Sequence, residues 1–179
     1  MPSRRLPISA LPKYAVLENE RRFLVDPGQG PDLTGLSFRH IVDRYLSGTR
    51  LRLRSITDSV TGAVEFKFCK KYLSDDPVSG PIVNMYLSPE EHAALMIVPA
   101  QVIIKRRYQI TFDGQVFGLN VFEGALDGLV LCEAEADSRA AILAVKFPPW
   151  VGREVTDEAF FTGGELSQTG TSELAARLG

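Results

Sequence analysis

Residues 17–25 read LENERRFLV, and Glu18, Glu20 and Arg22 follow one another at intervals of two. Successive strand side chains point to opposite faces, so in a β-strand these three project together. Leu24 joins them, and Leu17, Asn19, Arg21, Phe23 and Val25 take the other side. Two carboxylates and a guanidinium on one face describe either a solvated surface or the lining of a polar interior. That choice decides the fold.

The same alternation recurs in RLRLRS (50–55), AVEFKFCKKY (63–72), VIIKRRYQITF (102–112), VFGLNVF (116–122) and LVLCEAEAD (129–137). Alternating runs of this length predict half-buried antiparallel strands. Turn signals separate them at Pro27-Gly28, Gly48, Gly62, DDPVSGP (75–81), Asp113-Gly114 and Asp127-Gly128. The last two fit tight hairpin turns. Helices are fewer. SPEEHAALMI (88–97) opens with Ser88, Pro89 and Glu91, a capping box with proline at the first helical position. DSRAAILAVKF (137–147) can cap on Asp137 or Ser138, and the tail SELAARLG (172–179) on Ser172. The mixture predicts an α+β, mostly β chain: an antiparallel sheet or barrel with a few helices outside.

Counting faces sharpens the question. Arg50, Arg52 and Arg54 share one side of their strand; Glu65, Lys67, Cys69 and Lys71 share a side of the next. Lys105, Arg107, Gln109 and Thr111 line up in 102–112, and Glu133, Glu135 and Asp137 in the last run. A one-sided sheet with a solvated face gives this pattern for any single strand. The set behaves differently, because acids gather in the first and last strands and bases in the three between. Like charges opposite one another destabilise a sheet, and ordinary solvated faces intersperse signs. A segregated face suits a polyanion carrying bound cations: carboxylates take hard divalent metals, and arginine and lysine neutralise phosphate. Closed into a barrel, that face becomes a tunnel lining.

Bulk properties bound the alternatives. At 179 residues, with 45% apolar and 23% charged residues, the chain has ordinary globular composition and length for one domain. A net charge of −2 gives no global attraction to nucleic acid or an anionic membrane. Cys69 and Cys132 stand in no metal-ligand spacing and read as buried thiols in a reducing, cytoplasmic setting. The N-terminal stretch lacks an apolar core for a signal peptide or membrane span, and residues 1–15 read as a loosely ordered lead-in to a single domain over 16–179. His40 and His92 have no evident catalytic partner.

These segments, taken in order, resemble the CYTH superfamily, the triphosphate tunnel metalloenzymes, over roughly residues 16–174. LENERRFLV is similar to the E-x-E-x-K signature, RLRLRS to the "VRVR" strand and EFKF to the "T-I-K" strand. KRRY resembles "K-x-R-Y", FEGALDGLVLCEAEAD resembles "F-x-G-x-L-x-G-L-x-x-A-E-x-E", and PPWVGREVTDE resembles "P-x-W-x-G-x-E-V-T-x-D". The nearest branch is the small single-domain bacterial proteins.

The resemblance implies an eight-stranded antiparallel tunnel with flanking helices, binding a triphosphate with Mg²⁺ or Mn²⁺. By position it implies metal ligation by Glu18, Glu20, Glu133 and Glu135, and phosphate binding by Arg52, Arg54, Lys67, Lys105 and Arg107. Arg22 replaces the signature lysine and joins the phosphate-binding set; with Glu65, inward by parity, it is the catalytic candidate. FGLNVF places Gly118 and Asn120 where the family pattern "W-E-I-D-x-F" has acids, and AFFTGGELS follows "EVT-x-D" without the usual "Y-S-N". The implied reaction is metal-dependent hydrolysis of a triphosphate, most simply inorganic tripolyphosphate. A class IV adenylate cyclase and a non-catalytic polyphosphate or nucleotide binder are the alternatives. No nucleic-acid or membrane partner is expected, and the oligomeric state is open, a homodimer included.

Overall fold

The computed structural model describes residues 12–26 and 28–179. Residues 1–11, most of the expected lead-in, and Pro27 of the expected Pro27-Gly28 turn lie outside the described residues. Eight antiparallel strands form one closed barrel: β1 (Val16–Leu24), β2 (Arg39–Leu46), β3 (Leu51–Asp58), β4 (Val64–Lys71), β5 (Ser79–Leu87), β6 (Ala100–Phe112), β7 (Gln115–Glu123) and β8 (Val130–Ala136). Around the barrel the order is β1-β5-β4-β3-β2-β6-β7-β8. Among the described residues four short α-helices lie outside the ladders: α1 (Pro89–Leu95), α2 (Arg139–Ala144), α3 (Gly163–Leu166) and α4 (Thr171–Leu178). Of the sheet or barrel that the alternating runs leave open, the chain forms the barrel, the eight-stranded antiparallel tunnel that the resemblance implies.

Six strands coincide with those runs, and two do not. β2 was unread, and β5 begins inside DDPVSGP, where Ser79, Gly80 and Pro81 pair with Asn19, Glu18 and Leu17. Asp113-Gly114 forms the predicted tight hairpin, with φ of 49° and 75°, and Phe112 pairs with Gln115 across it. Positive φ at both central positions is the turn whose twist matches the flanking strands. Asp127-Gly128 is not a tight hairpin; it follows a 3-10 turn at Gly124–Leu126 in a longer loop.

At α1 the capping box is present: the Ser88 hydroxyl accepts from the Glu91 amide, and Glu91 accepts from the Ser88 amide. Ser138 caps α2, which stops at Ala144, short of the predicted 147, because Val145 turns to extended backbone. The tail helix starts one residue earlier than expected; Gly170 is its N-cap, and Ser172 caps nothing.

Closure at the β1–β5 seam is short, running only from Val16 to Asn19. Beyond it, the free edge of β1 is taken by residues 152–156. Leu24 N–H donates to Arg153 O, Gly152 N–H to Leu24 O, and Val155 N–H to Arg22 O. Backbone donors on a buried strand need partners; here a returning C-terminal segment supplies them.

The apolar core divides in two. Val25, Tyr108, Phe117, Leu119, Cys132, Ala134 and Ile142 form one cluster, on the outward face of the strands beneath α2. In the other, Ile103, Phe122 and Leu131 pack with Val155, Phe161, Leu166 and Leu174. The first three share their strand faces with the charged residues, so the second cluster closes the barrel interior. Among the described residues no helix is long and apolar enough to cross a membrane.

Candidate active site

The period-two faces become the barrel lining. Register carries them round it: Glu20 pairs with Glu135 and Arg22 with Glu133, Gly118 with Glu133, and Arg107 with Asn120. Asp43 pairs with Arg54, and Arg54 with Lys67. Every candidate of the sequence reading therefore stands on the interior face. At its heart is a cavity of about 50 Å³ lined by Glu20, Arg22, Asp43, Lys71, Lys105 and Glu133. Its apolar end is made by Phe122 and Leu131 and, from the C-terminal segment, by Phe161, Gly163 and Leu166. A larger opening of about 360 Å³ lies away from this chemistry, between Asp26, Gln29 and Trp150.

Within the lining, carboxylates answer bases. Arg54 forks onto Asp43 at 2.6 and 2.7 Å. Arg107 reaches Glu133 at 2.6 Å and Glu135 at 3.3 Å. Lys71 pairs with Glu18, and Lys67 with Glu65 at 2.8 Å. Glu65 and Glu135 are the more exposed carboxylates, at 43% and 56%, and neither lines the central cavity, which takes only Glu20, Arg22, Lys105 and Glu133 of the candidates. Arg22 lies 3.6 Å from Glu20, and its Nη2 donates to Thr156 O at 3.1 Å. The EVT segment thus anchors the residue that replaces the signature lysine.

Three residues were missed. Asp43 and Tyr45 sit on β2, where RHIVDRYL places His40, Val42, Arg44 and Leu46 against Ile41, Asp43 and Tyr45. Both faces mix polar and apolar residues, so the period-two signal vanishes. Besides Glu65, a second acid therefore belongs to the middle strands: Asp43, 2% exposed, stands among the bases. Lys71 had the right parity but was not singled out. The two histidines lie elsewhere: His92 stacks on Phe66 at 4.2 Å, and His40 lies 3.6 Å from Glu123.

Electrostatics separate the committed groups from the uncommitted. Burial works to raise the Asp43 carboxyl, but Arg52 and Arg54 hold it well below the usual aspartate range. Burial works against Glu133 as well, yet Lys105, Arg107 and Arg22 pull it down to about 2. Glu20 goes the other way: burial raises it, Lys71 opposes, and neighbouring Glu133 and Glu18 push it further up. Burial lowers Lys105 to about 8, Arg54 and Arg107 adding to the effect of burial. Lys105 Nζ sits over the Phe122 ring, 5.4 Å from its centroid. Arg22 Nε and Arg52 Nε are buried without a hydrogen-bond acceptor among the described residues. Buried donors of this kind are costly unless something accepts from them.

Among the described residues no three His, Cys, Asp or Glu side chains converge as a metal cage. The donor set nonetheless suits a hard cation. Glu20, its carboxyl raised by burial, lies beside Glu18 and Glu133, and oxygen donors of this kind take Mg²⁺ or Mn²⁺.

No family model matches the chain. It is 37% identical over 65 residues to an inorganic triphosphatase of Acetivibrio thermocellus, a match covering 36% of this chain and 40% of that protein. To an inorganic triphosphatase of Nitrosomonas europaea it is 50% identical over 55 residues, covering 31% and 36%. The chain thus spans about two fifths of the length of these curated relatives. The crystal structure of the inorganic triphosphatase NE1496 superposes with a TM-score of 0.57 at 27% identity, over 86% of this chain and 96% of that one. In sequence, over short stretches, and in barrel architecture, over nearly its whole described length, the chain is similar to inorganic triphosphatases.

Proposed function

We propose that this chain is a CYTH-type tunnel enzyme that hydrolyses inorganic triphosphate with a divalent metal ion, Mg²⁺ or Mn²⁺. One observation carries the reading. Arg22, whose Nε is buried without an acceptor among the described residues, and Lys105 line a cavity that also holds Glu20, its carboxyl raised by burial. Such a site attracts an anion and a cation together, which is what a metal-complexed phosphate chain presents. The named relatives and the NE1496 barrel support the same substrate.

The residues divide by chemistry. Arg22, Arg52, Arg54, Lys67, Lys105 and Arg107 would bind phosphate oxygens and align the chain for in-line attack. Glu18 and Glu20, with Glu133 and Glu135 across the β1–β8 ladder, would hold the divalent ion. When bound, that ion supplies Lewis acidity that offsets charge on the phosphate oxygens and acidifies water. Arg22, held by Thr156, keeps its guanidinium turned to the cavity. Glu65 would take a proton at the more open part of the lining. Buried Cys69 and Cys132, both free, fit a reducing, cytoplasmic setting.

The test is phosphate release from tripolyphosphate, ATP and thiamine triphosphate, each with Mg²⁺ and Mn²⁺. Orthophosphate from tripolyphosphate, abolished by chelation and reduced at least about 100-fold in Glu20→Gln, is expected. Cyclic AMP with pyrophosphate from ATP would make the chain a cyclase. Tight binding without turnover of any substrate would make it a binder.

A further inference from the structure

Gly118 lies in the middle of β7, and its φ is not in the left-handed region, so the backbone does not demand glycine there. Glycine inside a strand is a weak choice, and it marks places where something approaches closely. Here the approaching group is a side chain. A Cβ built at 118 falls inside the Arg107 guanidinium, against Nη2 and Cζ. In that space Arg107 Nη1 donates to Glu133 Oε2 at 2.6 Å, and Nη2 to Glu135 Oε1 at 3.3 Å. Asn120, fully buried, completes the seat. Its Nδ2 donates to Glu133 Oε2 at 2.8 Å, and its Oδ1 faces Arg107 Nη1 at 3.4 Å. An amide can serve both neighbours at once, whereas a carboxylate at 120 would repel Glu133.

We propose that Arg107 is the protein's internal second cation: seated over Gly118, it engages one oxygen each of Glu133 and Glu135, leaves their other oxygens to the ion held with Glu18 and Glu20, and so restricts the tunnel to a single divalent ion. The inference rests on the metal-dependent reading above and assigns Gly118 and Asn120 a role in setting metal number. It also changes what those two positions mean. They are not merely missing acids; together they form a seat shaped for a guanidinium. The remaining N–H groups of Arg107 stay available to a phosphate oxygen, so one residue ties the carboxylate pair to the anion.

The experiment counts Mn²⁺ bound to the full chain without phosphate, by calorimetry and electron paramagnetic resonance. Wild type is expected to bind one ion. Gly118→Ala, which pushes aside only the flexible end of Arg107, and Arg107→Gln are each expected to bind two. Arg107→Lys, which keeps the charge, should stay at one. Circular dichroism melts identify any variant that has not folded, and the two routes to freeing the carboxylates, at 118 and at 107, are independent. A wild type that binds two ions overturns the inference and leaves the triphosphatase reading intact. So do folded Gly118→Ala and Arg107→Gln proteins that both remain at one. A wild type that binds none also overturns the inference, while the metal dependence of the proposed function is still read from phosphate release with and without chelator.

Discussion

Arg54 and Asp43 face each other across the β2–β3 ladder and meet as a two-pronged pair, Nε to Oδ1 at 2.6 Å and Nη2 to Oδ2 at 2.7 Å. Arg52 Nε lies 3.5 Å from the same carboxylate, too far for a hydrogen bond. One buried aspartate therefore carries two arginines, and only one of them is fully engaged. Removing one member of a buried ion pair leaves an uncompensated charge, at a cost of about 3–5 kcal/mol. Asp43→Asn should accordingly lower the unfolding free energy by about 3 kcal/mol in urea titrations. It should also enlarge the rise in Tm caused by tripolyphosphate, because two guanidiniums then lack an acceptor. A loss under about 1 kcal/mol with an unchanged ligand shift would remove Asp43 from its central place.

The proposed contact of Lys105 with phosphate predicts a pH dependence of tripolyphosphate binding. The folded pKa of Lys105 is near 8 because burial penalises the ammonium. An anion binds the charged form, so bound anion raises that pKa and affinity falls as pH climbs through 8. Calorimetry without metal from pH 7 to 9.5 should show Kd weakening by up to about tenfold per pH unit above 8. Lys105→Met should bind more weakly at pH 7 and lose the extra slope. Equal slopes in the two proteins would contradict this assignment.

Acid should separate Glu133 from Glu20. The Glu133 pKa falls from 4.5 to about 2 on folding, so its stabilisation is complete above 4.5 and is lost as pH drops towards 2. Glu20 is raised on folding, and protonating it favours the native state, the opposite sign. Between pH 6 and pH 3, wild type should therefore lose about 2 kcal/mol more stability than Glu133→Gln, measured by urea unfolding. Glu20→Gln should be at least as stable as wild type at pH 6. A Glu133→Gln protein with the wild-type acid slope would count against the charge contacts of Lys105 and Arg107.

The hold of the C-terminal segment on β1 can be measured at Thr156. Its hydroxyl accepts from the Arg22 amide at 3.0 Å and donates to Glu154 Oε1 at 2.7 Å, while Glu154 in turn receives Arg21 at 2.8 and 2.7 Å. Thr156→Val keeps the shape and strands the Arg22 donor. The expected cost is about 1–3 kcal/mol, with faster hydrogen exchange at the Arg22 amide. Exchange at wild-type rate would mean another group protects that strand edge.

How much of this was legible depended on the strand. In β1, β3, β4, β6 and β8 charged residues recur every second position on one face, so parity grouped them by face, and the resemblance then picked out Glu18, Glu20, Arg52, Arg54, Lys67, Lys105, Arg107, Glu133 and Glu135. β2 was illegible because it mixes polar and apolar residues on both faces, and β5 because it starts within a Pro- and Gly-rich stretch that reads as a turn. Local rules also settled the α1 capping box and the Asp113-Gly114 hairpin, since both depend on neighbours a few residues away.

The sequence by itself thus determined which side chains would share a face, because strand periodicity is a property of the backbone. Only the tertiary structure decided which of them would meet. Asp43 carries Arg54 because β2 lies beside β3; Thr156 anchors Arg22 because a segment 134 residues later covers an open strand edge. Gly118 makes room for Arg107 because β7 lies beside β6. Such pairings are set by ladder register and chain return, and no local pattern encodes either. LENERRFLV specified a charged face; closure of the barrel made it the wall of a cavity.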